Sequence, residues 1–267
     1  INYINALIDR LDENKFYFVQ SEIDNFIEES KQYSENFFDI DLAYSVINLY
    51  FERLIAFSEY QIKLIEEQKF DFTKDEYIDI YYEDNQWSKS ESHLKEIWRN
   101  ETKSDLLVAL MSDTLSDDPN KVLIKRYKNR IRRIQQQKEE DVFSLAINTL
   151  ANQFDPHSSY LSPRSAEDFD MNMSLKLEGI GALLGAEDDY TKIVSLVPGG
   201  PAEKSGEIQP EDKITRIRQL DSSKNGYVDV VGWRIDEVVD LIWGKSGTQV
   251  EIEFISSNSA DSTRKLV

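Results

Sequence analysis

The chain has 267 residues, 40% of them apolar and 11% aromatic, which is enough for one large or two ordinary hydrophobic cores and excludes a chain disordered throughout. Its net charge of −19 is unevenly spread: residues 1–118 carry 27 acidic and 11 basic side chains, residues 119–267 carry 23 and 20. That balance argues against nucleic acid or an anionic membrane as a partner of the first half, the lack of cysteine excludes disulfides and thiolate metal sites, and no apolar run approaches the length of a membrane span.

Residues 1–155 read as helical. Ile4, Leu7, Ile8 and Leu11 mark a first amphipathic segment, stopped by Asp12-Glu13-Asn14. Ser21, with Asp24 three residues on, reads as the start of a second helix carrying Ile23, Phe26 and Ile27. A long helix is expected from about Asp41 to Glu67, with Val46, Tyr50, Leu54, Phe57 and Leu64 at helical spacing and neither Gly nor Pro inside. Residues 70–90 lose the period and read as an ordered loop pinned by aromatics. Another helix follows from about Ser92 to Leu115, and Asp117-Asp118-Pro119-Asn120 punctuates the next helix start.

Residues 121–138 hold eight Lys or Arg and no acid. Ile124, Tyr127, Ile131 and Ile134 recur there every three or four residues, so this is one helix with solvated basic flanks rather than a nucleic-acid surface, and the acids of the same half are the expected partners of its cations. Glu139 opens a last helix with Val142, Leu145, Ala146 and Leu150 inward. The run Asp155 to Pro163, with two prolines and several hydroxyls, is expected to form a fixed turn. Its Asp155, His157 and Ser158 are too close in sequence for a nucleophile relay, and two distant histidines without cysteine make a poor metal site. No cofactor is expected.

From Met173 the period changes to two. Strands are expected at 173–177, 181–185, 191–197, 213–218 and 249–255, a short helix opened by Pro201, and a second helix from about Gly232 to Trp243, stopped by Gly244. The fold class is α+β and multidomain: an all-α N-terminal domain, then a small, partly open β-barrel or sandwich with two helices. Within it, Leu175 and Leu177 run into Gly179-Ile180-Gly181 and a second strand. Consecutive backbone N–H groups at such a glycine turn form a concavity that holds an anion without a charged side chain. If the strand after it has a free edge, a peptide adds there as an extra strand. The groove would lie between the 181–185 strand and the 234–242 helix.

Gly179-Ile180-Gly181, Val197 to Ala202, Ile208 to Ile214 and Gly247-Thr248-Gln249-Val250 resemble a bacterial PDZ domain. Together with Val142 to Ala146, Asp155 to Pro163, Phe70 to Thr73, Leu177 to Ala182 and Val228 to Arg234, they resemble the tail-specific proteases, the long periplasmic C-terminal processing peptidases. One departure is Glu211, where that family has Gly before the Asp.

The resemblance implies a helical domain over 1–165, a connection over 166–174, a PDZ domain over 175–258 and the start of a protease domain at 259–267. It implies that the nucleophilic Ser and general-base Lys lie beyond Val267, so that no catalytic residue stands in this chain and the chain alone is inactive. The chain starts at Ile1 and ends as if in mid-strand, so we expect a piece of a longer, periplasmic protein whose signal segment, if any, is out of view.

The implied function is recognition: the N–H groups of Ile180, Gly181 and Ala182 hold the carboxylate of a substrate's nonpolar C-terminus, and Ala182, Leu184, Val238, Leu241 and Ile242 line the pocket for its last side chain. Tail binding would then gate a downstream Ser/Lys endopeptidase, while the helical domain frames the substrate cavity or docks a lipoprotein adaptor. The competing reading is a non-catalytic PDZ scaffold or adaptor that binds C-termini and leaves them intact.

Overall fold

The computed structural model describes residues 3–32, 38–67, 70–74, 76–78, 86–111, 118–174, 179–220, 226–244 and 247–256. The chain divides into two compact units, Ile1–Arg164 and Ser165–Val267.

Among the described residues the first unit is built on six helices: α1 (Tyr3–Leu11), α2 (Gln20–Gln32), α3 (Ile40–Glu66), α4 (Glu91–Leu110), α5 (Pro119–Gln135) and α6 (Glu139–Phe154). α3 is the axis, with α1, α2, α4, α5 and α6 packing against it. Its start is fixed by the Asp39 carboxylate, which accepts from the N–H groups of Asp41 (2.9 Å) and Leu42 (3.0 Å). One side of α3 buries Val46 and Ile47 completely against Leu7, Ile8, Phe18 and Ala146. Each such side chain contributes about 2 kcal/mol through burial. Further along, Ile65 joins Leu106, Leu123 and Tyr127, and Phe57 joins Leu94 and Trp98.

Local chemistry shifts two of the expectations. α2 begins at Gln20, and it is Glu22 that reaches back to the Val19 N–H (2.9 Å); Ser21 lies inside the helix. On α5, Lys121 and Lys128 are exposed and make no ion pair with any described residue, so the acids of this half do not partner them as the composition suggested. Arg130 instead lies over the rings of Phe57 and Tyr127 and donates to Gln61 (3.0 Å). The Asp118-Pro119 punctuation does start α5, with Asp118 capping Asn120 (2.9 Å).

Helix α7 (Pro163–Ser174) carries the chain across the boundary between the units. Met173 and Ser174 therefore end a helix, where a strand over 173–177 was expected; residues 175–178 lie outside the described residues. The second unit then runs β1 (Ala182–Glu187), β2 (Tyr190–Leu196), α8 (Pro201–Ser205), β3 (Lys213–Gln219), β4 (Val228–Asp229), α9 (Ile235–Ile242) and β5 (Val250–Ile255).

Among the described residues the strand pairs of this unit are antiparallel, in the order β1-β2-β3-β4, with β5 also on β3. The sheet is open rather than a closed barrel, and among the described residues β1 pairs with β2 alone. α9 packs across β1 and β3 and closes a core of Ile180, Ile193, Ile214, Ile217, Val238, Ile252 and Phe254. Among the described residues no helix is long and apolar enough to cross a membrane.

Candidate functional site: a glycine loop beside an open strand edge

The loop before β1 takes a shape that the glycines permit. Gly179 has φ +122° and Gly181 φ +72°, both in the left-handed half of conformational space. Gly181 is also closely packed: a Cβ there would stand 3.1 Å from the Gly200 Cα and 3.3 Å from the Pro201 Cδ. The Pro198-Gly199-Gly200-Pro201 turn, which leads from β2 into α8, thus buttresses this loop. It is itself closed by the Gly199 N–H donating to Glu203 (2.6 Å).

Two hydrogen bonds set the direction of the loop's peptide planes. The Ala202 N–H donates to the Ile180 carbonyl (2.8 Å) and the Val197 N–H to the Gly181 carbonyl (2.8 Å). In a planar trans peptide the C=O and N–H point opposite ways. With both carbonyls held toward 197–202, the N–H groups of Gly181 and Ala182 point away from it. The second bond also makes Ala182 and Leu196 a non-hydrogen-bonded pair, so the Ala182 N–H faces the unpaired edge of β1. The N–H groups of Ile180 and Gly181 have no acceptor among the described residues. Backbone donors thus face outward at the head of a strand edge that has no partner among the described residues.

The expected site residues divide between this loop and the core. Ile180 contributes backbone to the loop while its side chain is buried. Ala182, Leu184 and Leu241 are half-buried against the core, and Ile242 is buried at the end of α9. Val238, expected in the pocket, is 0% exposed and belongs to the core; its neighbour Val239 is 39% exposed. Sequence periodicity groups Val238, Val239, Leu241 and Ile242 as one face, and of these the expected pocket omits Val239, because periodicity does not resolve which members of an apolar stripe lie at its rim. Trp243 was read only as the end of the helix. Its Cδ1 lies 3.6 Å from where a Cβ of Gly179 would be, so the indole stands beside the glycine loop.

At the other end of β1, Glu187 bonds Lys192 (2.7 Å) and Lys213 (2.7 Å), and Lys192 also bonds Glu211 (2.9 Å), tying β1, β2 and β3 together. The hydrogen bonds from Lys192 and then Lys213 hold the Glu187 carboxyl down at about 2, so the clamp is ionised at any physiological pH. In the first unit, the Asp155 carboxylate accepts from the His157 backbone N–H (3.1 Å) and the Ser158 hydroxyl (3.1 Å). This is turn chemistry, with the imidazole outside both bonds.

The sequence model of the family described as tail specific protease N-terminal domain matches residues 2–164. The chain belongs to the tail-specific protease family. A PDZ domain matches residues 168–254, the region of β1–β5, α8 and α9.

The tail-specific protease of Haemophilus influenzae is 34% identical over 251 residues, covering 92% of this chain and 35% of that protein. The carboxy-terminal processing protease CtpA of Bacillus subtilis is 41% identical over 99 residues, covering 37% of this chain and 19% of that protein. The chain therefore spans about a third or less of the length of these curated relatives. Among solved structures, the PDZ domain of the carboxy-terminal protease from Vibrio cholerae in complex with peptide is 44% identical, covering 34% of this chain and 89% of that one, with a TM-score of 0.31. In tail-specific protease terms, helices α1–α6 fall within the N-terminal-domain match and the glycine loop within the PDZ match.

Proposed function

We propose that the second unit captures the free, nonpolar C-terminus of a protein substrate. The tail adds to β1 as an extra antiparallel strand, its carboxylate meets the N–H groups of Ile180, Gly181 and Ala182, and its last side chain lies against Ala182, Leu184, Leu241, Ile242 and the exposed Val239. Val238 supports this surface from beneath. The observation that carries the reading is the anchoring of the Ile180 and Gly181 carbonyls, which leaves outward-facing amides at the head of an unpaired edge.

Membership of the tail-specific protease family supports the wider reading. The full-length protein is a Ser/Lys endopeptidase of the bacterial periplasm, tail capture by the PDZ unit gates its proteolysis, and this chain supplies recognition without catalytic residues. Gating would follow from the tail binding one arrangement of the enzyme better than another.

The test is fluorescence anisotropy with a labelled peptide ending in a free apolar carboxylate and with its C-terminal amide. The acid is expected to bind in the micromolar range, on the order of −8 kcal/mol, and the amide at least tenfold more weakly. Equal binding of the two, or binding of neither, rejects the glycine loop as a carboxylate site.

A further inference from the structure

We propose that Trp243 is part of the tail site: its indole walls the carboxylate end of the groove, and its N–H completes the ring of donors around the terminal carboxylate. The inference rests on the tail-capture reading above and goes beyond it by naming a side chain that reads the terminal residue.

Position is the first support. The ring's nearest approach to the glycine loop is through Cδ1, 3.6 Å from the Cβ site of Gly179. Cδ1 is bonded to Nε1, so the ring's single donor lies on the edge turned toward the loop. A Cβ on Gly179 would stand in ordinary van der Waals contact with the ring, so the indole flanks the loop about one side-chain atom away. The second support is the state of the ring. It is 38% exposed, and its N–H has no acceptor among the described residues. An aromatic ring with a polar handle, half in contact and half wet, is the kind of side chain that anchors ligands.

The third support is fixation. Trp243 follows the last turn of α9, and its backbone N–H donates to the Val239 carbonyl (2.8 Å). The next residue, Gly244, lies so close to the Thr248 side chain that it has no room for a Cβ, and Gln219 donates to the Leu241 carbonyl (3.0 Å), tying this end of the helix to β3. The indole is therefore carried on a backbone that is already in place before a ligand arrives.

The two roles make separate predictions in the full chain. Trp243→Phe keeps a ring and removes the donor, so affinity for an acid-ended peptide falls roughly threefold to tenfold while affinity for the amide stays level, and the acid-to-amide ratio shrinks. Trp243→Leu removes the wall, so the ratio of affinities for tails ending in Phe and in Ala changes at least fivefold. Circular dichroism and the melting temperature establish that each variant is folded. Should the Leu variant not fold, the wild-type chain decides the wall: acid-tail binding changes its tryptophan emission, and the Phe variant, which keeps Trp87, Trp98 and Trp233, loses that change.

If the wild-type chain prefers acid over amide but both variants keep the wild-type ratios, Trp243 is a bystander and tail capture stands. If the wild-type chain shows no such preference, both the reading and the inference fall.

Discussion

Glu211 holds a backbone conformation suited to glycine, with φ +76°. It is held there by its own N–H donating to the Ile193 carbonyl (2.8 Å) and by the next residue, buried Asp212, whose carboxylate accepts from Gln209 (2.9 Å). A non-glycine residue in this region is strained by roughly 1–2 kcal/mol. Glu211→Gly relieves that strain, gives back part of it through a more flexible unfolded chain, and loses a surface ion pair to Lys192 of small worth. The substitution is expected to stabilise the chain by about 0.5–1 kcal/mol, read by denaturant titration; a loss of stability would show that the Lys192 pair outweighs the strain. The sequence marked this position as a departure from its family, and the positive φ is its physical content.

A second residue of interest is buried. Asp12 is 2% exposed, and its carboxylate accepts from the N–H groups of Phe16 (2.6 Å), Tyr17 (2.8 Å) and Phe18 (3.1 Å) in the turn between α1 and α2. Burial nonetheless outweighs these bonds and raises its pKa from 3.8 to about 6. A carboxyl whose folded pKa lies above its unfolded one favours folding most below the unfolded value, and that contribution is lost as pH rises through about 6. Asp12→Asn removes the titration and keeps one acceptor. Subtracting its stability-against-pH curve from the wild-type curve should leave a decline between pH 4 and 7; a flat difference would mean that Asp12 does not titrate in that window.

At the scale of elements, what was legible depended on length and repetition. α3, α5 and the strands β1, β2, β3 and β5 each repeat an apolar period long enough to be seen, and each lies within a few residues of its expected place. β4 has only two residues and exists because Arg216 and Ile217 offer it a ladder; no local pattern announces it. α7 was hidden because Met173 and Ser174 fit an alternating pattern equally well, and the helix begins at a proline that also reads as the end of a turn. The glycine loop was legible as a motif, but its support was not: only the fold brings Gly200 and Pro201 against Gly181. Gly181→Ala is therefore expected to displace the loop, destabilising the chain by about 1–2 kcal/mol and weakening acid-ended peptides more than tenfold. Unchanged peptide affinity in a folded variant would separate this loop from binding.

For the whole molecule, composition allowed one large core or two ordinary ones, and the chain divides into two compact units at Arg164. Composition also foretold an acidic first half, where the cations of α5 were assigned to nearby acids; Lys121 and Lys128 instead remain in solvent, since a surface ion pair gains little over hydration. Membership of the tail-specific protease family was legible from motifs spread over both units, each short and none sufficient alone.

In the proposed tail capture, the edge of β1 that is open among the described residues is also a ruler. Six residues at roughly 3.4 Å each give it a length of about 20 Å, so a strand laid along it exposes only its last five or six residues to inspection. A recogniser of that reach reads a short word and ignores the text before it. Proteins with unrelated folds but the same closing letters would look alike to it, and a single residue added to a tail would rewrite the word.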